Sequence, residues 1–203
     1  MGALGAPICV VRLGSSGVDR NPHLNTGARE SSMTDEEIAR LPYRPCVGVM
    51  IVNREGRVWV GRRADSKAIA EGHGNWWQMP QGGIDKGEAP RAAARREVFE
   101  ETGITSIEII GETRDWLTYD LPRALIGQAW GGRYRGQKQK WLAVRFTGDD
   151  GEVNIAPEGH EVEFEAWRWA GVDELVGLII PFKRDVYRAV VAELGHLAAP
   201  VGD

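Results

Sequence analysis

The sequence predicts an α/β fold in which helices pack on the faces of a mixed β-sheet. Apolar segments of strand length begin near Cys46, and segments with helical character follow between and after them. Because strands lie before, between and after the helices, the simplest way to bury both sets of apolar faces is to pack the helices against one sheet. With 203 residues, the chain is long enough for one domain with a sizeable core.

The first strands form a predicted β-hairpin. CVGVMIV, which starts at Cys46, is a continuous apolar run, and RVWVGRR, which ends at Arg63, follows after the turn NREG. Two β-branched segments around a short turn that contains Asn and Gly are typical of a hairpin. NWWQMP predicts another short strand that ends at Pro80.

The segment EAPRAAARREVFEETG predicts a helix. Pro90 falls in its first turn, alanines fill its middle, and Gly103 occupies the position after the last helical residue, where glycine is favoured. SIEIIGETRDWLTYDL, KWLAVRFTG and VEFEAWRWA are three further strand candidates. FKRDVYRAVVAELG has apolar residues at helical spacing and predicts a C-terminal helix.

Residues 1–40 differ from the rest of the chain, and we predict that they form a disordered leader to a domain spanning 41–198. The leader is rich in Gly, Ser, Asn and Arg and shows neither strand nor helix periodicity. TDEEIARLPYRP, which follows Met33, predicts the short acidic start of a helix that leads into the domain. Met33 is also a candidate natural initiator; the alternative is that the preceding residues form a functional tail.

Composition excludes several classes of protein. A net charge of −4 argues against a surface that is basic as a whole, so an anionic ligand needs a local positive patch. Cys9 and Cys46 fit neither a metal-ligand spacing nor a disulfide framework, which favours a reducing, cytoplasmic compartment. No apolar run reaches the roughly 18–20 residues that span a bilayer. We therefore predict a cytoplasmic protein without membrane association or a stable protein partner.

Three glutamates crowd the end of the predicted helix that precedes Gly103. Glu97, Glu100 and Glu101 lie at i, i+3 and i+4, on one face of the helix. Their charges repel each other and oppose the helix macrodipole. A hard cation, Mg²⁺ or Mn²⁺, would offset this repulsion, and no His or Cys lies nearby to favour Zn²⁺. The alternative is a solvated acidic helix end in which Arg96 pairs with Glu100.

The residues before this helix extend the signal into a motif. In the glycine-rich loop PQGGIDKGE, Gly82 is followed after five residues by Glu88, and Arg96 follows after seven more. The pattern G-x5-E-x7-R-E-U-x-E-E-x-G-U, with U apolar, matches at every position from Gly82 to Ile104. This pattern is the signature of the Nudix hydrolases, which the sequence therefore resembles.

The resemblance implies an α/β/α sandwich, with the motif as a loop–helix–loop, and cleavage of a diphosphate linked to another moiety. It implies a Mg²⁺ or Mn²⁺ cofactor, although another divalent cation would also suit oxygen ligands. The implied metal ligands and catalytic residues are Glu97, Glu100, Glu101 and Glu163. The implied structural residues are Gly82, Glu88, Arg96 and Gly103. Among these, Glu88 and Arg96 are expected to pair and brace the loop against the helix.

Glu163 is the implied fourth carboxylate, as a metal ligand or as the base for the attacking water. In VEFEAW, Glu163 alternates with Glu165, so both are expected on the same face of the strand, with Phe164 opposite. The alternative is that either glutamate is an ordinary exposed strand residue.

Further segments, from YRPCVGV to PFKRDVYR, resemble the bacterial RNA pyrophosphohydrolase branch, which shades into the diadenosine polyphosphate hydrolases. This likeness covers residues 42–195. It implies that the protein converts 5′-triphosphorylated RNA ends to 5′-monophosphates and releases pyrophosphate, a reaction of mRNA decay. The alternative substrate is a dinucleoside tetraphosphate. A noncatalytic nucleotide- or RNA-binding module is less favoured, because all the glutamates of the motif are present.

The same likeness implies a set of substrate-binding residues. Phe182 and Arg63 are suited to stacking on a base, although Phe182 could equally be a core residue. An insertion, ADSKAIAEGHG, lengthens the loop after Arg63, and the segment APEGHE before Glu163 also departs from the family pattern. The polar positions implied to contact phosphate oxygens are Arg44, Arg63, Gln81, Tyr119, Gln137, Lys140 and Lys183.

Overall fold

The computed structural model describes residues 9–10, 33–63 and 76–202. The insertion ADSKAIAEGHG and most of the predicted leader lie outside these residues. The strands are β1 (Cys9–Val10), β2 (Tyr43–Val52), β3 (Val58–Arg63), β4 (Trp77–Gln78), β5 (Gln81–Gly83), β6 (Ile107–Glu112), β7 (Leu117–Asp120), β8 (Gly136–Phe146) and β9 (Phe164–Ala170). The helices are α1 (Asp35–Arg40), α2 (Pro90–Thr102), α3 (Leu175–Leu178) and α4 (Arg184–Leu194).

The strands form one mixed sheet in the order β1-β9-β3-β2-β8-β6, with β4, β5 and β7 paired to β3, β2 and β8. The central strands β2 and β8 run parallel, from Tyr43 opposite Gly136 to Val52 opposite Arg145. The other pairs are antiparallel. A continuous apolar run suits β2 because both faces of the sheet are covered at its centre.

Each face of the sheet carries a hydrophobic core and a helix. On one face, Ala94 and Val98 of α2 join a cluster with Trp59 and Leu142. On the other face, Val186, Tyr187 and Val190 of α4 join a cluster with Met50 and Trp141. The three layers form an α/β/α sandwich, which confirms the predicted fold class.

Most of the predicted elements are present. The predicted β2–β3 hairpin is present, with Val52 opposite Val58. Helix α2 starts at Pro90 and ends where Gly103 adopts a left-handed φ of 70°, so that its N–H donates to Phe99 O at 2.8 Å. None of the helices in the ranges 33–63 and 76–202 is long and apolar enough to cross a membrane.

Two predictions about elements are wrong. The glycine-rich loop is not entirely irregular, since Gln81–Gly83 pairs with Cys46–Gly48 of β2. The segment SIEIIGETRDWLTYDL is not one strand but two, β6 and β7, separated by a bend at Arg114 and Asp115. In both places the backbone pairs with a neighbouring strand that sequence patterns do not reveal.

The helix predicted after Met33 is α1, and it lies inside the range 1–40. Thr34 Oγ1 accepts a hydrogen bond from Glu37 N–H at 3.2 Å, and the Glu37 carboxylate accepts one from Thr34 N–H at 2.7 Å. This capping box fixes the start of α1, and Met33 and Ile38 pack against the core. Strand β1 also falls in the range 1–40 and pairs with β9. We therefore propose that the folded domain extends N-terminal to residue 41 and includes α1.

Candidate active site

Helix α2 carries the glutamates of the motif on its buried side. Ala94 and Val98 pack into the core, and Glu97 and Glu101 lie beside them, each only 8% exposed. Residues four apart share a helix face, so the two carboxylates reach toward the same edge of the sheet. Glu100 is half-buried at the margin of this group. Burying two carboxylates so close together is costly, which is typical of a functional site.

Arg96 ties the glycine-rich loop to α2. Its Nε and Nη2 donate to the two carboxylate oxygens of Glu88 at 2.9 and 2.8 Å, and Nη2 also donates to Gly83 O at 2.8 Å. Asp85 N–H donates to Glu88 at 3.0 Å. A bidentate guanidinium–carboxylate pair has little freedom, so it holds the loop at a fixed distance from the helix. This is the contact that the resemblance implies for these two residues.

Gly82 leaves room for the carboxylate of Glu97. A Cβ at this position would lie 1.9 Å from Glu97 Cδ, far inside a van der Waals contact. The loop backbone therefore approaches Glu97 as closely as it does because residue 82 has no side chain. The neighbouring residue, Gln81, donates its N–H to Glu101 Oε2 at 3.2 Å. Strand β5 thus touches both buried carboxylates through its backbone.

The carboxylates gather negative charge in a buried place. Burial raises the pKa of Glu101 well above its ordinary value, and the charges of Glu163 and Glu97 add to that effect. Burial also raises the pKa of Glu97, although the hydrogen bond from Arg96 opposes this. A cation bound among these groups would lower their pKa values again, because a nearby positive charge favours the ionised carboxylates.

The donor set suits a divalent cation, although the carboxylates are not gathered around one point. Within the described ranges, no three Asp, Glu, His or Cys side chains form a ready metal-binding cluster. Arg96 Nη1 instead donates to Glu97 at 2.7 Å and to Glu100 at 3.1 Å. The carboxylate oxygens that Arg96 binds here are the donors that suit a hard cation such as Mg²⁺ or Mn²⁺.

Glu163 and Glu165 do not share one environment, contrary to the expectation from strand alternation. Strand β9 begins only at Phe164, and its register with β3 shifts between Arg62 and Arg63. Glu163 pairs with Arg63 at 2.7 Å and lines a cleft beside α2, whereas Glu165 pairs with Arg62 at 2.8 Å. The irregular pairing separates the two glutamates, and only Glu163 faces the candidate site.

The cleft has a volume of about 590 Å³, and its wall includes Gln81, whose backbone N–H donates to the buried carboxylate of Glu101. Its wall includes Gly82 and Glu163 together with both cationic and aromatic side chains, so it can accommodate a charged ligand that carries a ring. The predicted substrate-binding residues that line it are Arg44, Arg63, Gln81, Tyr119, Gln137, Phe182 and Lys183.

Lys140 is the exception among the predicted substrate-binding residues. Its Nζ donates to the carbonyl oxygens of Thr113 and Arg114, and it does not line the cleft. In β8, Lys140 alternates with Gln139, so the two side chains leave opposite faces of the sheet. Lys140 thus stabilises the turn between β6 and β7, and its predicted contact with phosphate stays a prediction.

Contacts on the cleft wall hold its cationic and aromatic groups in place. The ring of Tyr119 lies 5.6 Å from that of Phe182, and Lys183 Nζ lies 5.4 Å from the Tyr119 ring centre. Arg44 stacks over Trp130 at 5.5 Å. Trp130 has a φ of 49°, which is rare for a residue other than glycine and is often found at functional sites.

Sequence reasoning missed several residues of the cleft wall. Trp76, Gln78 and Trp130 line the cleft. Trp76 and Gln78 lie in WWQMPQGGID, which is part of the likeness to the RNA pyrophosphohydrolase branch, but nothing in that segment indicated that their side chains line a cleft. Gln139 was also missed; it is buried behind Gln81 and Gln137 and bonds to both. The only available signal for Gln139 was its place in GQKQKW, one of the segments within 42–195 that resemble the RNA pyrophosphohydrolase branch.

The Glu88–Arg96 pair predicts a pH dependence of stability. The hydrogen bonds from Arg96 lower the pKa of Glu88 to about 2, from an ordinary value of 4.5, and the bond from Asp85 contributes. Because the folded-state pKa is depressed, the pair stabilises the fold above about pH 4.5 and loses that contribution as the pH falls toward 2. We expect Glu88→Gln to reduce the free energy of unfolding at pH 7 more than at pH 3.

Urea unfolding of the metal-free protein at several pH values measures this difference. Glu112→Gln is a suitable control, because Glu112 pairs with Arg91 on the exposed surface at 3.1 Å. An effect of Glu88→Gln that is equal at pH 7 and pH 3 would contradict the assignment.

Comparison with known proteins agrees with this geometry. The model of the NUDIX domain matches residues 42–190. The chain belongs to the Nudix family. Nudix hydrolases act on phosphoric anhydride bonds and need divalent cations, so this protein is a metal-dependent hydrolase of that class.

Curated Nudix relatives match nearly their whole length to this chain. The RNA pyrophosphohydrolase of Nitrobacter winogradskyi is 57% identical over 160 residues, which cover 78% of this chain and 93% of the relative. That of Roseobacter denitrificans is 57% identical over 161 residues, or 78% of this chain and 96% of the relative.

Solved structures share the Nudix fold at much lower identity. The Escherichia coli dihydroneopterin triphosphate pyrophosphohydrolase has a TM-score of 0.58 at 18% identity, covering 76% of this chain and 99% of that one. The Caenorhabditis elegans Ap4A hydrolase in a binary complex has a TM-score of 0.53 at 18% identity, covering 75% and 98%. At this identity the likeness concerns the fold alone.

Proposed function

We propose that this protein hydrolyses the 5′-triphosphate end of RNA, releases pyrophosphate and leaves a 5′-monophosphate. The observation that carries the proposal is the 57% identity to RNA pyrophosphohydrolases over more than nine-tenths of their length. The cleft beside the Nudix helix supports it, because cationic and aromatic side chains line the same space. We further propose Mg²⁺ as the cofactor and the cytoplasm as the compartment, where RNA with triphosphate ends is made.

The proposed metal ligands are Glu97, Glu100, Glu101 and Glu163. When bound, a divalent cation supplies charge neutralisation at the phosphate oxygens and makes water a better nucleophile. Glu97 is held by Arg96, Glu101 by the backbone N–H of Gln81, and Glu163 by Arg63. Fixing these side chains before substrate arrives means that little reorganisation remains during the reaction.

Arg44, Arg63 and Lys183 give the cleft a local positive charge in a protein whose net charge is −4. A triphosphate is the most highly charged part of the proposed substrate, so these side chains orient it toward the glutamates. The rings of Tyr119 and Phe182 lie beside Lys183, where a terminal base can stack. The cationic side chains thereby hold the phosphate chain, and the aromatic rings hold the first base.

Glu163 is the candidate to accept the proton of the attacking water. Its carboxylate lies at the wall of the cleft, and the ion pair with Arg63 at 2.7 Å fixes its direction. Water attacks phosphorus, the anhydride bond breaks, and the leaving pyrophosphate is stabilised by the cationic side chains. The protein therefore contributes mainly by positioning and electrostatics.

A comparison of two substrates tests this proposal. We expect kcat/KM for a short 5′-triphosphorylated RNA to exceed that for diadenosine tetraphosphate, with pyrophosphate and 5′-monophosphorylated RNA as products. EDTA should abolish the activity and added Mg²⁺ or Mn²⁺ should restore it, since oxygen ligands favour hard cations. A clear preference for the dinucleotide would overturn the RNA proposal while leaving the Nudix chemistry intact.

A further inference from the structure

Four side chains form a buried chain of hydrogen bonds behind the cleft. The indole Nε1–H of Trp141 donates to Gln139 Oε1 at 3.0 Å. Gln139 Nε2 donates to Gln137 Oε1 at 2.8 Å and to Gln81 Oε1 at 3.3 Å. Gln139 is 1% exposed and Trp141 is fully buried, so water does not compete for these groups. The network links β8 to β5 across the central strand β2.

Chemistry fixes the direction of every bond in this network. An indole N–H can only donate, so the group that faces Trp141 must be the carbonyl oxygen of Gln139. The NH₂ group of Gln139 then points the other way, and because it can only donate, Gln81 and Gln137 must present their oxygens to it. The assignment of three amide groups therefore follows from one tryptophan.

The outward-facing groups of Gln81 and Gln137 are consequently their NH₂ groups. Both residues line the cleft, and neither Nε2 atom donates to an acceptor within the described residues. Arg44 and Lys183 line the same cleft. The cleft thus contains uncharged donors beside its cationic groups, an arrangement that recognises an oxyanion with several acceptor oxygens.

We propose that Gln139, oriented by Trp141, is a positioning residue that aims the NH₂ groups of Gln81 and Gln137 at the phosphate oxygens of the substrate. The role rests on the proposed function, since it assigns these donors to a polyphosphate chain. If Gln139 were turned over, Gln81 and Gln137 would present carbonyl oxygens, which repel phosphate. The network thereby determines whether this part of the cleft attracts or rejects an anion.

Trp141→Phe tests the role by removing the one donor that sets the direction. We expect KM to rise about 3- to 10-fold while kcat stays within about twofold, because the amide groups lose only part of their orientation and still bind the phosphate oxygens. Trp59→Phe is the matched control. Trp59 is also fully buried, but its Nε1 has no hydrogen-bond partner, so this substitution removes the same atoms without breaking a bond.

Gln139→Glu provides a second variant, because a carboxylate can only accept hydrogen bonds and should reverse both neighbouring amides. We expect its KM to rise by at least about tenfold, with the melting temperature checked separately. Equal KM values in Trp141→Phe and Trp59→Phe, or a loss confined to kcat, would overturn the proposal.

Side-chain NMR separates this test from the identity of the substrate. In the wild type and in Trp59→Phe, the side-chain amide signals of Gln81 and Gln137 should shift when inorganic triphosphate is added, and in Trp141→Phe the shift should be smaller. This readout does not need turnover, so a failure to hydrolyse RNA would count against the proposed function alone. Signals that do not respond in the wild type would overturn the positioning role.

Discussion

Replacing Glu101 by Gln is expected to lower kcat at least about a hundredfold and to raise the melting temperature of the metal-free protein. Even residues that merely support a metal ligand change activity by about 10–100-fold when they are replaced, so loss of a ligand should reach the upper end. The gain in stability follows from burial, which raises the pKa of Glu101 well above its ordinary value of 4.5.

The sign of the stability change follows from that shift. Because the pKa of Glu101 is higher in the folded than in the unfolded state, Glu101 contributes to stability at low pH, and this contribution is lost as the pH rises. At pH 7 the buried carboxyl group of Glu101 therefore lowers the free energy of unfolding. A neutral amide at this position removes that cost, and its oxygen can still accept the hydrogen bond from Gln81 N–H. Calorimetry without metal and steady-state kinetics with Mg²⁺ measure the two effects.

Glu165→Gln is the matched control, because it neutralises a glutamate that pairs with Arg62 and does not line the cleft. Its turnover should stay within about twofold of the wild type, the range expected for a surface substitution. Near-normal turnover of Glu101→Gln would remove Glu101 from the proposed set of ligands. A melting temperature of metal-free Glu101→Gln below that of the wild type would show that other contacts in the wild type already offset the cost of burying the Glu101 charge.

Replacing Gly82 by Ala is expected to lower kcat on the order of a hundredfold without unfolding the protein. The new Cβ would lie 1.9 Å from Glu97 Cδ, so the carboxylate has to move away from the loop. Because the atoms in its path are the far end of a flexible side chain, the fold can adapt at small cost. Displacing one metal ligand should therefore lower kcat by an amount at the upper end of the 10–100-fold range.

Gly177→Ala is the control for the glycine substitution. Gly177 lies in α3, and a Cβ there meets nothing within 4 Å, so activity should be unchanged and helix propensity should favour the variant by up to about 1 kcal/mol. Circular dichroism melts show whether Gly82→Ala is folded. A folded Gly82→Ala protein with normal kcat and normal affinity for Mn²⁺ would contradict the role of Gly82.

The local sequence was sufficient to predict the parts of the site that lie close together in the chain. The spacing from Gly82 to Gly103 predicts a loop, a helix and a carboxylate face, and the structure contains each of them. The family resemblance extended the prediction to distant residues, and most of these line one cleft. Their convergence depends on the parallel pairing of β2 with β8, which local patterns do not encode.

The differences between expectation and structure have physical causes of the same kind. Alternation predicted one face for Glu163 and Glu165, but the register shift against Arg62 and Arg63 separates them. Lys140 was expected at a phosphate, but two backbone carbonyl groups of the β6–β7 turn bind its ammonium. Gln139 was missed because the direction of its hydrogen bonds depends on a neighbour two residues along the strand and on β5. Each case turns on tertiary contacts that residue type and spacing leave undetermined.

Anomalous X-ray diffraction from crystals of the protein grown with Mn²⁺ tests most directly the claim that these glutamates form a divalent-cation site. We expect an anomalous peak beside α2, with carboxylate oxygens of Glu97 and Glu101 among its ligands, and no such peak in crystals of Glu101→Gln. Mn²⁺ bound elsewhere on an active protein, with Arg96 still bonded to both Glu97 and Glu100, would contradict the account.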